Sequence, residues 1–356
     1  MNCEKYFPNL YRYRFPLAGI LFSIWGMYLR IRWLMARPFM DGDQFYQLKA
    51  MEQPFWEMIK NMPHQEHCSY LSFDYYVNYP FFRWFGFNKW LTNIPHLLIT
   101  ALGFYFFYLV CRQYLKTVWG LALAFTIFCF NISLIDNAVQ IRVYAVLPTL
   151  ALMCLYYSRY VIENFSQISS AKKFWLGAFF ILLLWFHVYG VVILGCTMFF
   201  IVLEKYREEN FRENFFGLFK FFGIVLLIAM PFWAYSVYGP HSPYRPEPPF
   251  HFIANPAINF LKFVKSILAN LLGKSQMYFL LLGVLIPFVI PYKNRSRDIM
   301  IFFVLVVIPL QVLLYGVVKH EYWFLQRQFT WVMPFFAMYL ASACESGILF
   351  FSKGAK

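Results

Sequence analysis

Two aspartates stand at the mouth of the first long apolar stretch, in Arg37-Pro-Phe-Met-Asp41-Gly-Asp43-Gln44-Phe-Tyr46, directly after the basic residues Arg30, Arg32 and Arg37. Ionisable groups are expensive to hold near a bilayer, so acids at such a boundary usually have a partner or a task. A carboxylate there is suited to act as a general base, taking the proton from an attacking hydroxyl or amine. Gly42 loosens the turn, so one or both side chains can face the same space. An Asp ahead of a helix also serves simply as its N-cap, favoured by the helix dipole. Asp74, in Ser72-Phe-Asp-Tyr-Tyr, is a third acid of the same loop, with a solvated position or a pairing to Arg83 as its ordinary explanation.

A second constellation is Gln140-Ile-Arg142-Val-Tyr144, at the start of the fourth apolar run. The planar fork of an arginine suits a phosphate, and Gln140 and Tyr144 add donors between apolar walls. The commoner fate of an arginine at such a place is to snorkel to the interface. Arg327, in Gln326-Arg-Gln-Phe, enters the last apolar run from the same side and can share a phosphate. His187, in Trp185-Phe-His-Val-Tyr-Gly190, interrupts what would otherwise be one very long helix; a lone histidine is more often a hydrogen-bonded packing residue than a base. Arg245 sits in a loop over 238–274 that prolines stiffen, an ordered lid or a substrate contact. No acid, His or Cys cluster has clear metal-ligand spacing, so no metal and no cofactor is assigned, although a divalent ion is compatible with the chemistry.

The elements that position these residues follow from composition. The chain has 356 residues, 61% hydrophobic and 13% charged, with mean hydropathy +0.52. Ordinary soluble domains are about 45–50% apolar, so the pattern predicts an all-α polytopic membrane protein, one membrane domain over 1–356. Apolar runs near the roughly 17–25 residues needed to cross the hydrocarbon occur at 15–34, 91–111, 117–134, 143–160, 174–187, 190–204, 216–236, 276–292, 299–318 and 328–350, about ten spans with two of them short. The net charge of +14 lies in short segments between these runs, the pattern of cytoplasmic loops rather than of a nucleic-acid surface. With Lys5, Arg12 and Arg14 inside, the clusters Arg112/Lys116, Lys172/Lys173, Lys205/Arg207/Arg212, Lys293/Arg295/Arg297 and Lys353/Lys356 fall on the same side, and both termini are cytoplasmic. The first apolar run lacks a cleavage motif and reads as a retained helix. The outer face then carries 37–90, 136–142, the His187 corner, 238–274 and 319–327. Within the first outer loop, 44–61 and 75–90 read as amphipathic interfacial helices that together roof a cavity. The seven cysteines show no pairing pattern and fall mostly in apolar runs.

The order of these residues resembles the membrane-embedded GT-C glycosyltransferases, in the branch that includes protein O-mannosyltransferases and the bacterial lipid A aminoarabinose transferase (glycosyltransferase family 39). An acid just after the first helix matches Asp43 in Asp43-Gln-Phe-Tyr46, where the family pair is Asp-Glu. A motif of the type Glu-x-Arg-x-Tyr-Ala-Leu-Leu matches Gln140-Ile-Arg142-Val-Tyr144-Ala-Val-Leu147. His187 is similar to the family's His-Tyr break, Arg327 before Phe329 and Pro334 to its late Arg-Tyr entry, and Asp74-Tyr-Tyr with Tyr79-Pro80-Phe-Phe-Arg-Trp-Phe-Gly86 to the stretch that ends before the second helix. Gln replaces the second acid at 44 and the frequent Glu at 140, and no soluble outer domain follows the last helix, so acceptor recognition is expected to rest on the outer loops or a partner.

The resemblance implies inverting transfer of a sugar from a polyprenyl-phosphate donor to a glycan or lipid acceptor on the periplasmic face of a bacterial inner membrane, in cell-envelope polysaccharide biosynthesis. Asp43 is then the general base with Asp41 in reserve, Arg142 and Arg327 neutralise the departing lipid phosphate with Gln140 and Tyr144 beside them, and Asp74, His187 and Arg245 are possible substrate contacts. The rival classes are a transporter or flippase of a lipid-linked or anionic solute, which calls for midplane charges and matching halves, a membrane O-acyltransferase built on His187, and a non-catalytic subunit of a polysaccharide assembly complex.

Overall fold

A computed structural model describes residues 8–37, 42–61, 73–187, 189–238 and 326–354. Every regular element among them is helical. The expected spans at 276–292 and 299–318, the loop over 238–274 with Arg245, and Asp41 lie outside the described residues. Among the described residues, three helical stretches are long and apolar enough to cross a membrane, Leu91–Tyr114, Glu209–Pro231 and Phe329–Leu349, and a bent pair makes a fourth if it is one span. Many large apolar side chains face outward, among them Leu21, Trp119, Phe216 and Phe219, which suits a lipid surrounding.

The chain divides into two compact units. One comprises Met1–Ala36, Ile99–Val139 and Pro249–Lys356, the other Arg37–Leu98 and Gln140–Pro248. In the first unit α1 (Pro8–Ala36) packs along α6 (Val118–Phe130) and α7 (Ile132–Ala138), and α12 (Met333–Gly354) packs along α6. The core is aromatic: Phe107 stacks on Phe128 at 4.3 Å between centroids, and Phe104 meets Phe128 edge-on at 5.2 Å. Arg30 is buried here with its guanidinium 4.8 Å from the Phe104 ring, donating to the Gly26 carbonyl at 2.9 Å. Thus one of the basic residues preceding the aspartates is a core residue of α1. The expected span over 117–134 is in fact α6 and α7, bent by 58°. Asn131 causes the break: its backbone is extended and its side chain accepts from the Leu134 N–H at 2.9 Å, capping a new helix instead of continuing the old one. Trp33 Nε1 donates to Asp136 at 2.9 Å, and the Glu345 carboxylate accepts from the Lys116 and Thr117 N–H groups. Each contact joins segments that the charge pattern assigns to one face.

The second unit holds the segment expected to be the first outer loop, as α2 (Gly42–Met51), α3 (Phe55–Asn61), α4 (Phe73–Phe85) and a 3-10 turn (Leu91–Asn93) that runs into α5 (Ile94–Tyr114). The single helix expected over 44–61 is two, parted at Pro54, whose ring and missing N–H prevent a helix from passing through. Gln44, Gln47, Leu48 and Met51 are buried, whereas Phe45 is exposed. Gly86, with φ of +61°, ends α4 in the left-handed conformation that glycine tolerates best. The remainder is α8 (Leu147–Asn164), α9 (Ser170–Phe186), α10 (Tyr189–Lys205) and α11 (Glu209–Tyr238), with α10 against α8 and α9 against α11.

At one end of α8 and α10 an ion network ties the helices together. Arg159 bridges Glu163 (3.1 Å) and Glu204 (2.8 Å), and Lys205 bridges Glu163 (3.0 Å) and Glu208 (2.9 Å). Burial opposes the charge on Glu163, but the hydrogen bonds from Lys205 and Arg159 outweigh it and hold the carboxyl below its usual range.

Candidate functional site

The site begins with an interruption. The span expected over 143–160 starts as α8 only at Leu147; before it the chain is extended at Arg142 (φ −129°, ψ 151°) and makes a 3-10 turn over Val143–Ala145. Pro148 at the helix start fixes that beginning, since its missing N–H is harmless there. Every residue from Gln140 to Leu147 is nonetheless buried. Irregular backbone at membrane depth is tolerated where protein covers it or where it lines a cavity.

Two contacts fasten this stretch to α2, α3 and α4. Ile141 belongs to the same apolar core as Leu48 and Met51 of α2, Met58 of α3, and Tyr75 and Phe82 of α4. Its N–H also points at the Gln44 side-chain oxygen, 3.5 Å away, a long hydrogen bond between residues 97 apart in sequence. Gln140 and Arg142 flank Ile141, and Asp43 precedes Gln44 in the first turn of α2. α2 starts at Gly42, so Asp43 stands in its first turn rather than at the cap. The first-loop motif and the arginine motif, read separately from the sequence, therefore adjoin in one unit.

Arg142 is 9% exposed, so it does not snorkel. Its guanidinium lies 5.9 Å from the Tyr144 ring, and Tyr144 meets His187 edge-on at 6.0 Å. His187 in turn stacks on Tyr189 at 5.2 Å with the rings 8° from parallel, and accepts from the Tyr189 N–H through Nδ1. The histidine occupies the link between α9 and α10. Burial, with Arg142 adding to it, pushes its pKa down to about 3, so it is a neutral hydrogen-bonding ring at physiological pH. This turn depends on Gly190, whose N–H donates to the His187 carbonyl at 2.7 Å. A Cβ at that position would lie 2.1 Å from the Leu183 carbonyl oxygen.

Four sequence-selected residues, Gln140, Arg142, Tyr144 and His187, are thus gathered in one buried patch, with Gln44 touching it. Asp74 lies in α4, and Arg327 in the 3-10 segment Gln326–Val332 of the other unit. The side chains of Asp43, Asp74 and Arg327 are outside the described set, as are Asp41 and Arg245 altogether. Arg83, suggested as a partner for Asp74, donates to the Glu52 carbonyl at 3.3 Å. Among the described residues no three His, Cys, Asp or Glu side chains gather as metal ligands. Sequence reading missed Gln47 and Asn78, both fully buried, and Asn93 and His96, nearly so. Their signal was polar residues recurring at the inward positions of otherwise apolar helix faces. No protein-family model, curated protein or solved structure matches the chain.

Proposed function

We propose that the chain is a membrane glycosyltransferase that moves a sugar from a polyprenyl-phosphate donor to a glycan or lipid acceptor. The observation that supports this reading is the junction at Ile141, the residue before Arg142, which packs in the core of α2 and α4 and points its N–H at Gln44, the residue after Asp43. The reaction needs two functions side by side. A carboxylate takes the proton from the acceptor hydroxyl as its oxygen attacks the anomeric carbon, and a cation meets the phosphate as the carbon–oxygen bond to it breaks. In the proposed roles Asp43 is the base and Arg142 the phosphate partner. Arg142 is suited to the task because a fixed, desolvated guanidinium interacts with a developing charge far more strongly than a solvated one. The Tyr144 ring lies beside it, with His187 against that ring. The outward apolar surface would let the isoprenoid tail stay in lipid.

Purified protein in nanodiscs, given radiolabelled polyprenyl-phosphate sugars and a panel of membrane glycan and lipid acceptors, tests the proposal. Acceptor-dependent release of bare polyprenyl phosphate is the expected result. Movement of intact donor between leaflets of proteoliposomes, with no bond cleaved, would point instead to a transporter.

A further inference from the structure

Four polar atoms in neighbouring elements of the second unit are buried with no hydrogen-bond partner among the described residues: Asn78 Nδ2 and Oδ1, Asn93 Oδ1 and His96 Nδ1. Asn78 is 0% exposed and sits on the inward face of α4, with Tyr75 and Phe82 three and four residues to either side in the core that holds Ile141. Helix α4 packs against the 3-10 turn containing Asn93. That turn continues with helical dihedrals through Ile94 into α5, so Asn93 and His96, three apart, share a face. Leaving a buried polar group unmet is unfavourable by about 1–3 kcal/mol each, and native structures keep such groups few. Their concentration in one place next to the site points to a ligand that supplies the missing partners.

The chemistry of the set selects the ligand. Asn78 Nδ2 donates, Asn78 Oδ1 and Asn93 Oδ1 accept, and His96 Nδ1 does either according to tautomer. None of these groups needs to carry a charge, so the set has nothing to recommend it to a phosphate or a carboxylate. A hydroxyl group both donates and accepts and matches every member. We infer that Asn78, Asn93 and His96 form the subsite for the hydroxyl groups of a neutral sugar, with Asn78 as its specificity-determining residue. This rests on the glycosyltransferase reading for the identity of the carrier lipid, and it divides the labour: Arg142 meets the phosphate, the neutral amides and imidazole meet the sugar.

The test is equilibrium binding of bare polyprenyl phosphate and of its glucosyl, galactosyl and mannosyl esters to the full chain in nanodiscs, comparing wild type with Asn78→Leu. Leucine has the same number and branching of side-chain heavy atoms and leaves no unmet amide, so the variant is expected to fold. The best-bound ester should lose about tenfold or more in affinity, as expected for a lost pair of buried hydrogen bonds, while bare polyprenyl phosphate stays within about twofold. If Asn78→Leu does not fold, His96→Phe reads the same split. Equal binding of bare and glycosylated lipid by wild type, or an ester affinity unmoved by the substitution, overturns the subsite. Sugar transfer by an unmoved variant would sink the subsite and leave the function standing. Discrimination by wild type without any bond cleavage would keep the subsite and sink the function.

Discussion

Gly190→Ala should break the corner that holds His187, and the structure gives its size. The added Cβ would stand 2.1 Å from the Leu183 carbonyl oxygen, 2.8 Å from its carbon and 3.1 Å from Leu184 Cα. Optimal heavy-atom separations are about 3.5 Å, so the overlap is more than an ångström against backbone at the end of α9, which cannot swing aside as a side chain would. Overpacking in yielding surroundings is unfavourable by about 1–3 kcal/mol, and here the upper end is the floor. Gly195 lies in the same helix with nothing within 4 Å of its Cβ position. Gly195→Ala should therefore stabilise by the ordinary glycine-to-alanine difference within a helix, about 0.5–1 kcal/mol. The two substitutions, five residues apart, are expected to differ by about 4 kcal/mol in opposite directions. Thermal melts of both variants in one detergent measure this, and transfer assays should show loss of activity in Gly190→Ala alone. A Gly190→Ala protein that melts with wild type would refute the geometry of the corner.

Arg142→Lys should lower transfer by about tenfold to a hundredfold, because a point charge replaces a fork that meets two oxygens; rates at saturating donor measure it. Glu345→Gln should destabilise by about 2 kcal/mol in chemical denaturation, since it weakens charge-assisted acceptance from the Lys116 and Thr117 N–H groups and the Thr117 hydroxyl. The Glu163 network sets an acid limit. Because the folded pKa lies below the unfolded one, its contribution is fully present above the ordinary carboxylate range and fades as pH falls through the lower folded value. Melts between pH 7 and about pH 3 should show that loss in wild type and less of it in Glu163→Gln, modestly, since the side chain is 37% exposed.

The helices were legible where hydropathy alone decides them. Long apolar runs gave α1, α5, α11 and α12, and the pair of short runs around His187 gave α9 and α10 with the break between them. What stayed hidden turns on single polar residues that compete with the helix. Asn131 caps a new helix inside an apolar run, and Pro54 divides an amphipathic stretch whose periodicity continues across it. The unwinding from Gln140 to Val146 was masked because its residues are those of an apolar helix start, and only burial against α2 and α4 stabilises the extended form. The grouping of Gln140, Arg142 and Tyr144 was visible as a motif, and His187 as a break. That they meet, and that Ile141 ties them to α2, depends on contacts about a hundred residues apart. Asn78, Asn93 and His96 escaped because a polar side chain in an aromatic segment reads as solvent-facing until its burial is known.

Acceptor-dependent release of polyprenyl phosphate from a radiolabelled donor, compared among wild type, Asp43→Asn and Asp41→Asn proteins that melt alike, shows whether Asp43 is the base of a sugar transfer. Asp43→Asn is expected to lower release by roughly a hundredfold to ten-thousandfold, the contribution of a general base, while Asp41→Asn keeps most of it. Full activity in Asp43→Asn would contradict that role.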